Sequence, residues 1–325
     1  MVVKDLEGEG RGLVATKDLK IGDLIIKESA VIALPEDTDM WEAGGVLVEQ
    51  VEKLSVEQQK EFYKLTYKQR LLDISDTFLK AAGDDVEKKN KSRMVTKNIK
   101  ETAIFFNNDI ATEDGYKCLF PNLALTNHSC SPNSSWSGTR QHPRQLELRA
   151  IKDIEEGEEV FVNYIVVEGR FSDKESRQKR LKDGWEFDCQ CNECQGCIEE
   201  NIKQSVREMQ EEMVAECDSS LDKIDWARLA KIQARIIQQV GQLSCAPVLL
   251  HREYQSGVHL AHLARDNNMV EDFMEEWKVM VDKINITRAL ADYNSVLNKL
   301  EEWKQNLKKK LPPHEKEVKE FLWLM

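Results

Sequence analysis

Residues 8 to 34 set short apolar runs between glycines: Gly8, Gly10 and Gly12 precede Leu13-Val14-Ala15-Thr16, and Ile21-Gly22-Asp23 precedes Leu24-Ile25-Ile26. Runs this short, bounded by glycine, predict strands and tight turns. From Trp41 to about Leu79 the period lengthens, with Leu47, Val48, Val51 and Leu54 at helical spacing. Ser55-x-x-Gln58 then reads as a capping box for a following helix, so two or three helices fit here. The stretch 84–100 carries Lys88, Lys89, Lys91, Arg93, Lys97 and Lys100 and predicts a solvated loop running into a helix. Strand and turn composition returns from Cys118 to Tyr164, with Gln145-Leu146-Glu147-Leu148-Arg149-Ala150, a turn at Glu156-Gly157, and Val160-Phe161-Val162. A β-rich unit is thus interrupted by helices. After Cys197 four to six helices are expected: Leu229, Ile232, Ile236 and Val240 share one face, and Leu290, Tyr293, Leu297, Leu300 and Leu307 share another. Pro247 suits a helix start, and Pro312-Pro313 follows the last periodic stretch.

The fold class predicted is α+β, and 325 residues suffice for two domains or one domain with an insertion. With 58 acidic against 46 basic residues the net charge is -12, which argues against broad contact with nucleic acid and suits a basic peptide. Met1 to Glu7 hold no apolar core of a signal sequence and no run reaches bilayer length, so an intracellular protein without membrane contact is expected.

Four of the eight cysteines fall between 189 and 197, a spacing of metal ligands rather than of a disulfide framework. Cys189, Cys191 and Cys194 offer three thiolates of a zinc tetrahedron, and either Cys130 or Cys197 could supply the fourth. Cys118, Cys217 and Cys245 stand alone and read as small buried apolar residues. No basic recognition helix accompanies the cluster, so a zinc-dependent reader of DNA sequence is not expected.

The order of the remaining pieces is more specific than any one of them. The glycine-rich hairpin around Gly8, Gly10 and Gly12, the stretch Asn127-His128-Ser129-Cys130-Ser131-Pro132-Asn133, then Gly157-Glu158-Glu159-Val160 leading to Tyr164, and Phe187 before the cysteines together resemble SET-domain methyltransferases with a post-SET zinc segment. The wording "NLALTNHSCSPN", "LRAIKDIEEGEEV" and "FDCQCNEC" is most similar to the SET- and MYND-domain (SMYD) group. The MYND finger of that group is missing, since no Cys or His precedes Cys118.

The resemblance implies a SET β fold with knot-like threading beside Tyr164. It implies S-adenosylmethionine as cofactor, held by Gly10, Arg11, Gly12, Asn107, Asn127, His128 and Phe187, with Asn108 the neighbouring choice to Asn107. It implies Tyr164 as the catalytic tyrosine, one structural zinc ion on Cys130, Cys189, Cys191 and Cys194, and a lysine channel walled by Tyr164 and Trp185. Relatives commonly carry tyrosine where this chain has Trp185; an indole favours a cationic amine but supplies no phenolic acceptor.

The implied organisation is a SET domain N-terminal part at 1–37, a helical insertion at 38–102, the SET catalytic core at 103–175, a post-SET zinc segment at 176–198 and an all-helical C-terminal domain at 199–325. The implied function is a protein-lysine N-methyltransferase acting on a histone or another protein in the nucleus or cytoplasm. The competing class is a catalytically weak or inactive SET scaffold that binds protein partners. Tyr164, Asn127 and His128 favour the enzyme; Trp185 favours the scaffold.

Overall fold

Glycine opens the first hairpin. Strand β1 (Val2–Leu6) pairs antiparallel with β2 (Gly10–Val14), Leu6 opposite Gly10, and Gly10 takes a left-handed φ of 76° that a Cβ would oppose. The Gly10-Arg11-Gly12 segment, expected as a turn, is therefore the start of a strand, and β1 lies upstream of where strands were expected. The computed structural model describes residues 1–6, 10–38, 40–67, 98–139, 142–165, 171–196, 198–217, 223–243 and 246–308.

Strict alternation in β9 (His142–Ala150) buries Leu146, Leu148 and Ala150 and turns Glu147 and Arg149 the other way. It forms the centre of a sheet with β3 (Leu24–Ser29) and β8 (Ser134–Thr139), in the order β3-β9-β8. A second sheet runs β4-β6-β5, from β4 (Ile32–Pro35), β6 (Tyr116–Leu119) and β5 (Asp109–Thr112), and leaves β5 at its edge. Helices α1 (Met40–Glu52), α2 (Val56–Lys64) and α3 (98–108) cover it, with Leu47, Val51, Phe62, Ile104 and Phe105 packed on Ile32, Leu34 and Leu119. Ser55 and Gln58 make both bonds of the expected capping box. The lysine and arginine positions from Lys88 to Lys97 lie outside the described residues.

Two elements follow in the cysteine-rich region, α4 (Lys174–Trp185) and the short α5 (Asn192–Gln195). Then come α6 (Ile198–Cys217), α7 (Trp226–Val240), α8 (Ala246–Leu263), α9 (Asn267–Ile284) and α10 (Thr287–Lys308). In α7 the predicted face is the buried one: Leu229, Ile236 and Val240 are sealed from solvent, each burial stabilising by about 1.5–3 kcal/mol. The face expected for α10 is displaced by about one position. Ala289, Tyr293 and Val296 are buried at i, i+4 and i+7, whereas Leu290 is 37% and Leu297 42% exposed. The side chains of Leu300 and Leu307 lie outside the described set.

The helices share a core with the β half. Ile151 is fully buried among Val258, Trp277 and Tyr293, with Ile21 packed beside them. A Cβ on Gly22 (φ 90°) would sit 2.7 Å from the Lys283 carbonyl oxygen, so the expected turn at Gly22 is also the point of closest approach. Cys118 is buried, as expected of a small core residue, whereas Cys217 is only half-buried, and Cys245 lies outside the described residues. No helix among the described residues is long and apolar enough to cross a membrane.

Candidate active site

The site is built on two strands of two residues each. β7 (Asn127–His128) runs parallel to β10 (Phe161–Val162), Asn127 beside Phe161 and His128 beside Val162. So short a ladder needs outside support, and Asn133 gives it. Its Oδ1 accepts from the Phe161 amide at 2.8 Å and its Nδ2 donates to the Glu159 carbonyl at 2.8 Å, while Ser134 Oγ donates to the Phe161 carbonyl at 2.7 Å. Asn127 adds Nδ2 bonds to the Arg11 carbonyl at 3.1 Å and to Glu159 Oε1 at 2.8 Å, tying β2 to the same point.

Tyr164 lies two residues beyond β10. Its amide donates to His128 Nδ1 at 2.9 Å, and its hydroxyl donates to the Thr126 carbonyl at 2.8 Å. The hydroxyl proton is thereby occupied, which leaves the oxygen free to act only as an acceptor. Burial, aided by the Glu159 charge, raises the phenol well above its ordinary value, so it stays neutral at physiological pH. His128 is buried and pulled down to about 4 chiefly by desolvation, against the pull of the Cys191 thiolate. A neutral ring accepting at Nδ1 carries its proton on Nε2, which lies 3.3 Å from Cys130 Sγ.

Aromatic rings line up along this corner. Tyr164 meets Trp185 at 5.1 Å and His128 at 5.3 Å, and His128 meets Phe187 at 6.1 Å. Trp185 closes α4, and the next residue, Glu186, takes a left-handed φ of 64° that turns the chain back toward Phe187.

Cys130, Cys189, Cys191 and Cys194 bring their sulfur atoms within 4.8 Å of one another. Cys130 and Cys194 are 3.6 Å apart, close to the roughly 3.8 Å edge of a tetrahedron with Zn–S bonds of about 2.3 Å. Hydrogen bonds from Cys130, Cys189 and Cys194 drive the Cys191 thiol down, and bonds to Cys189, Cys191 and Cys194 drive Cys130 up. Four thiols so placed ionise together only with a cation among them, and this donor set fits zinc. Cys197 lies outside the described residues.

Two supports hold the cysteine segment. Gln178 of α4 grips the Cys189 backbone at both ends, Nε2 donating to its carbonyl at 2.7 Å and Oε1 accepting from its amide at 2.9 Å. Arg177 and Lys203, 2% and 1% exposed, both pair with Glu193, which stands between two of the cysteines. Burial raises the Glu193 carboxyl more than these cations lower it, so the cluster is costly to assemble and fixes position rather than adding stability.

A cleft of about 1450 Å³ collects Gly10, Arg11, Asn107, Asn127, His128, Tyr164, Trp185 and Phe187, together with Cys189 and Cys191. Gly12 does not line it; that residue pairs with Lys4 inside the hairpin. Asn108 spends its amide hydrogens on the Ile104 and Thr66 carbonyls at 2.7 Å each, whereas Asn107 makes a single 3.3 Å bond to Thr66. Gln178, Arg177 and Asp109 carry no signal in the sequence, and Asn133, which like Asp109 lines the cleft, is part of the motif but receives no role there. Asn133 ends the Asn127 motif and was the one open to notice.

Residues 10–165, which carry the parallel pair of β7 and β10 and Tyr164, match the SET domain profile. Within that class the chain is SMYD-like. It is 36% identical over 112 residues to the human N-lysine methyltransferase SMYD2, covering 34% of this chain and 24% of that protein. Against the human histone-lysine N-methyltransferase SMYD1 it is 31% identical over 137 residues, covering 37% and 27%. The chain thus spans about a quarter of the length of these relatives. A crystal structure of the SET domain of LSMT bound to lysine and AdoHcy aligns with 98% of this chain and 90% of that one, at 11% identity and a TM-score of 0.34.

Proposed function

We propose that the protein is an S-adenosylmethionine-dependent protein-lysine N-methyltransferase acting on a histone or another protein, in the nucleus or the cytoplasm. The observation that carries this reading is Tyr164 on the cleft wall, its hydroxyl proton given to the Thr126 carbonyl at 2.8 Å and its ring set against Trp185 and His128. S-Adenosylmethionine supplies an electrophilic methyl group on a sulfonium when bound. Gly10, Arg11, Asn107, Asn127, His128 and Phe187 would hold it, with Gly12 supporting the Arg11 backbone from within β2. Both ring nitrogens of His128 are engaged, so its contribution comes through its backbone and ring face.

The acceptor is a neutral amine, and lysine yields one at pH 7 only at a cost of about 4–5 kcal/mol from its ordinary pKa near 10.4. A narrow apolar channel disfavours the ammonium and offsets part of that cost. Tyr164 orients the amine and accepts C–H···O contacts of about 0.5–1 kcal/mol each; raised and neutral, it is not the base. Zinc on Cys130, Cys189, Cys191 and Cys194 is structural, since four thiolates leave no open position for water. In this reading residues 1–37 and 103–175 form the split SET core with its knot-like threading, 38–102 the insertion, 176–198 the zinc segment and 199–325 a helical domain along the peptide side.

The test pairs calorimetry against S-adenosylmethionine with tritiated-methyl transfer to a panel of basic proteins. Tyr164→Phe is expected to bind cofactor as the wild type does and to lose transfer by at least about a hundredfold. Undiminished turnover in that variant would reject the role of Tyr164. Cofactor binding by the wild type without transfer to any protein would favour the scaffold instead.

A further inference from the structure

Asp109 opens β5, the edge strand of its sheet, and lies on the wall of the cleft beside Asn107, Asn108 and Thr66. It is part-buried, and among the described residues no cation lies within ion-pair distance of its carboxylate. The nearest charges face it from neighbouring elements: Lys117 from β6 and Glu36 from the segment after β4. Lys117 is engaged elsewhere, its ammonium lying over the Phe106 ring at 5.2 Å. Among the described residues only its own backbone amide and the Lys117 charge favour the carboxylate, and they do not outweigh its burial, so the ionised group is expensive to maintain unless something that enters the cleft compensates it.

We infer that Asp109 is a ligand-recognition residue of the cleft, the contact for a primary ammonium group on the molecule bound there. This rests on the methyltransferase reading, under which two ammonium sources enter the cleft: the amino-acid end of the cofactor and the side chain of the substrate lysine. Burial holds the free carboxyl up at about 6, with Lys117 and its own backbone amide pulling it down and Glu36 pushing it up. Ligand binding that uses the carboxylate therefore weakens as pH falls through that value.

Calorimetry of the whole chain at neutral pH, for wild type and Asp109→Asn, would use S-adenosylmethionine and 5′-methylthioadenosine, which keeps the nucleoside and thioether but has no ammonium. Steady-state KM for a histone mixture completes the set. Weakening of S-adenosylmethionine by about tenfold with methylthioadenosine unchanged assigns Asp109 to the cofactor's ammonium. A similar rise confined to the KM for histone assigns it to the lysine. In either case the affected constant should worsen below about pH 6 in the wild type and stay flat in the variant. Unchanged constants for all three, in a variant whose thermal unfolding is intact, would overturn the inference; Asp109→Ser gives a second neutral variant should the first fail to fold. A wild type that binds neither nucleoside would instead refute the methyltransferase reading and this inference with it.

Discussion

Asp109→Asn should make the ligand-free protein more stable. The carboxyl rises from an ordinary 3.8 to about 6 in the fold, chiefly because burial disfavours its charge. At about 1.4 kcal/mol per factor of ten in proton affinity, that rise corresponds to a destabilisation on the order of 3 kcal/mol by the ionised group. Water at the cleft mouth screens part of it, leaving about 2 kcal/mol. The folded state holds the proton more tightly than the unfolded chain does. The penalty is therefore complete above about pH 6 and disappears as pH falls toward 3.8. Asparagine has the same shape and no charge, so the variant should gain about 2 kcal/mol at neutral pH and converge with the wild type near about pH 4. Urea unfolding followed by circular dichroism across that range measures both curves. A variant less stable than wild type at neutral pH, or a gap that does not close on acidification, would refute the reasoning. Stability gained where ligand affinity is lost is the mark of a group kept for binding.

Gln178→Ala removes both bonds to the Cys189 backbone and should cost about 1–3 kcal/mol, speeding zinc loss to a chelator by about tenfold; an unchanged release rate would count against the two-point grip. Cys130→Ser should lower zinc stoichiometry measured by atomic absorption, whereas Cys197→Ser should keep one ion per chain; the reverse result would move the fourth ligand to Cys197. Glu186→Gly relieves a left-handed residue at the end of α4 and should raise stability by about 0.5–1 kcal/mol, with a loss of stability showing that its side chain has a compensating role.

What the chain discloses and what it hides follow from the range of the interactions. The capping box at Ser55 and the buried face of α7 are set by neighbours a turn away, and periodicity reveals them. β7 and β10 are two residues each and pair across more than thirty positions, so no local pattern marks them; only the family resemblance brought Asn127 near Tyr164. In the α10 stripe Tyr293 is buried as expected, but leucines drew the rest of the reading, whereas Ala289 and Val296 join Tyr293 near Trp277 and two leucines face solvent. Spacing leaves Cys130 and Cys197 equal as the fourth ligand, and only the family resemblance points to Cys130, the thiol that the fold brings to the other three. Asp109 carries no motif at all, and its interest arises from being a carboxylate on a wall that the fold alone creates.

The four-sulfur cluster also sets a timetable for the chain. Cys130 and Cys194 are 64 positions apart, with β8, β9, β10 and α4 between them. A metal joining those ends shrinks the conformational freedom of the intervening loop much as a long-range cross-link does, by about 4 kcal/mol on the chain-entropy estimate. During synthesis the segment bearing Tyr164 leaves the ribosome well before Cys194, so the pocket around the tyrosine cannot be clasped until the cysteines emerge. Zinc supply at that moment, rather than in the finished protein, would then govern how many chains mature.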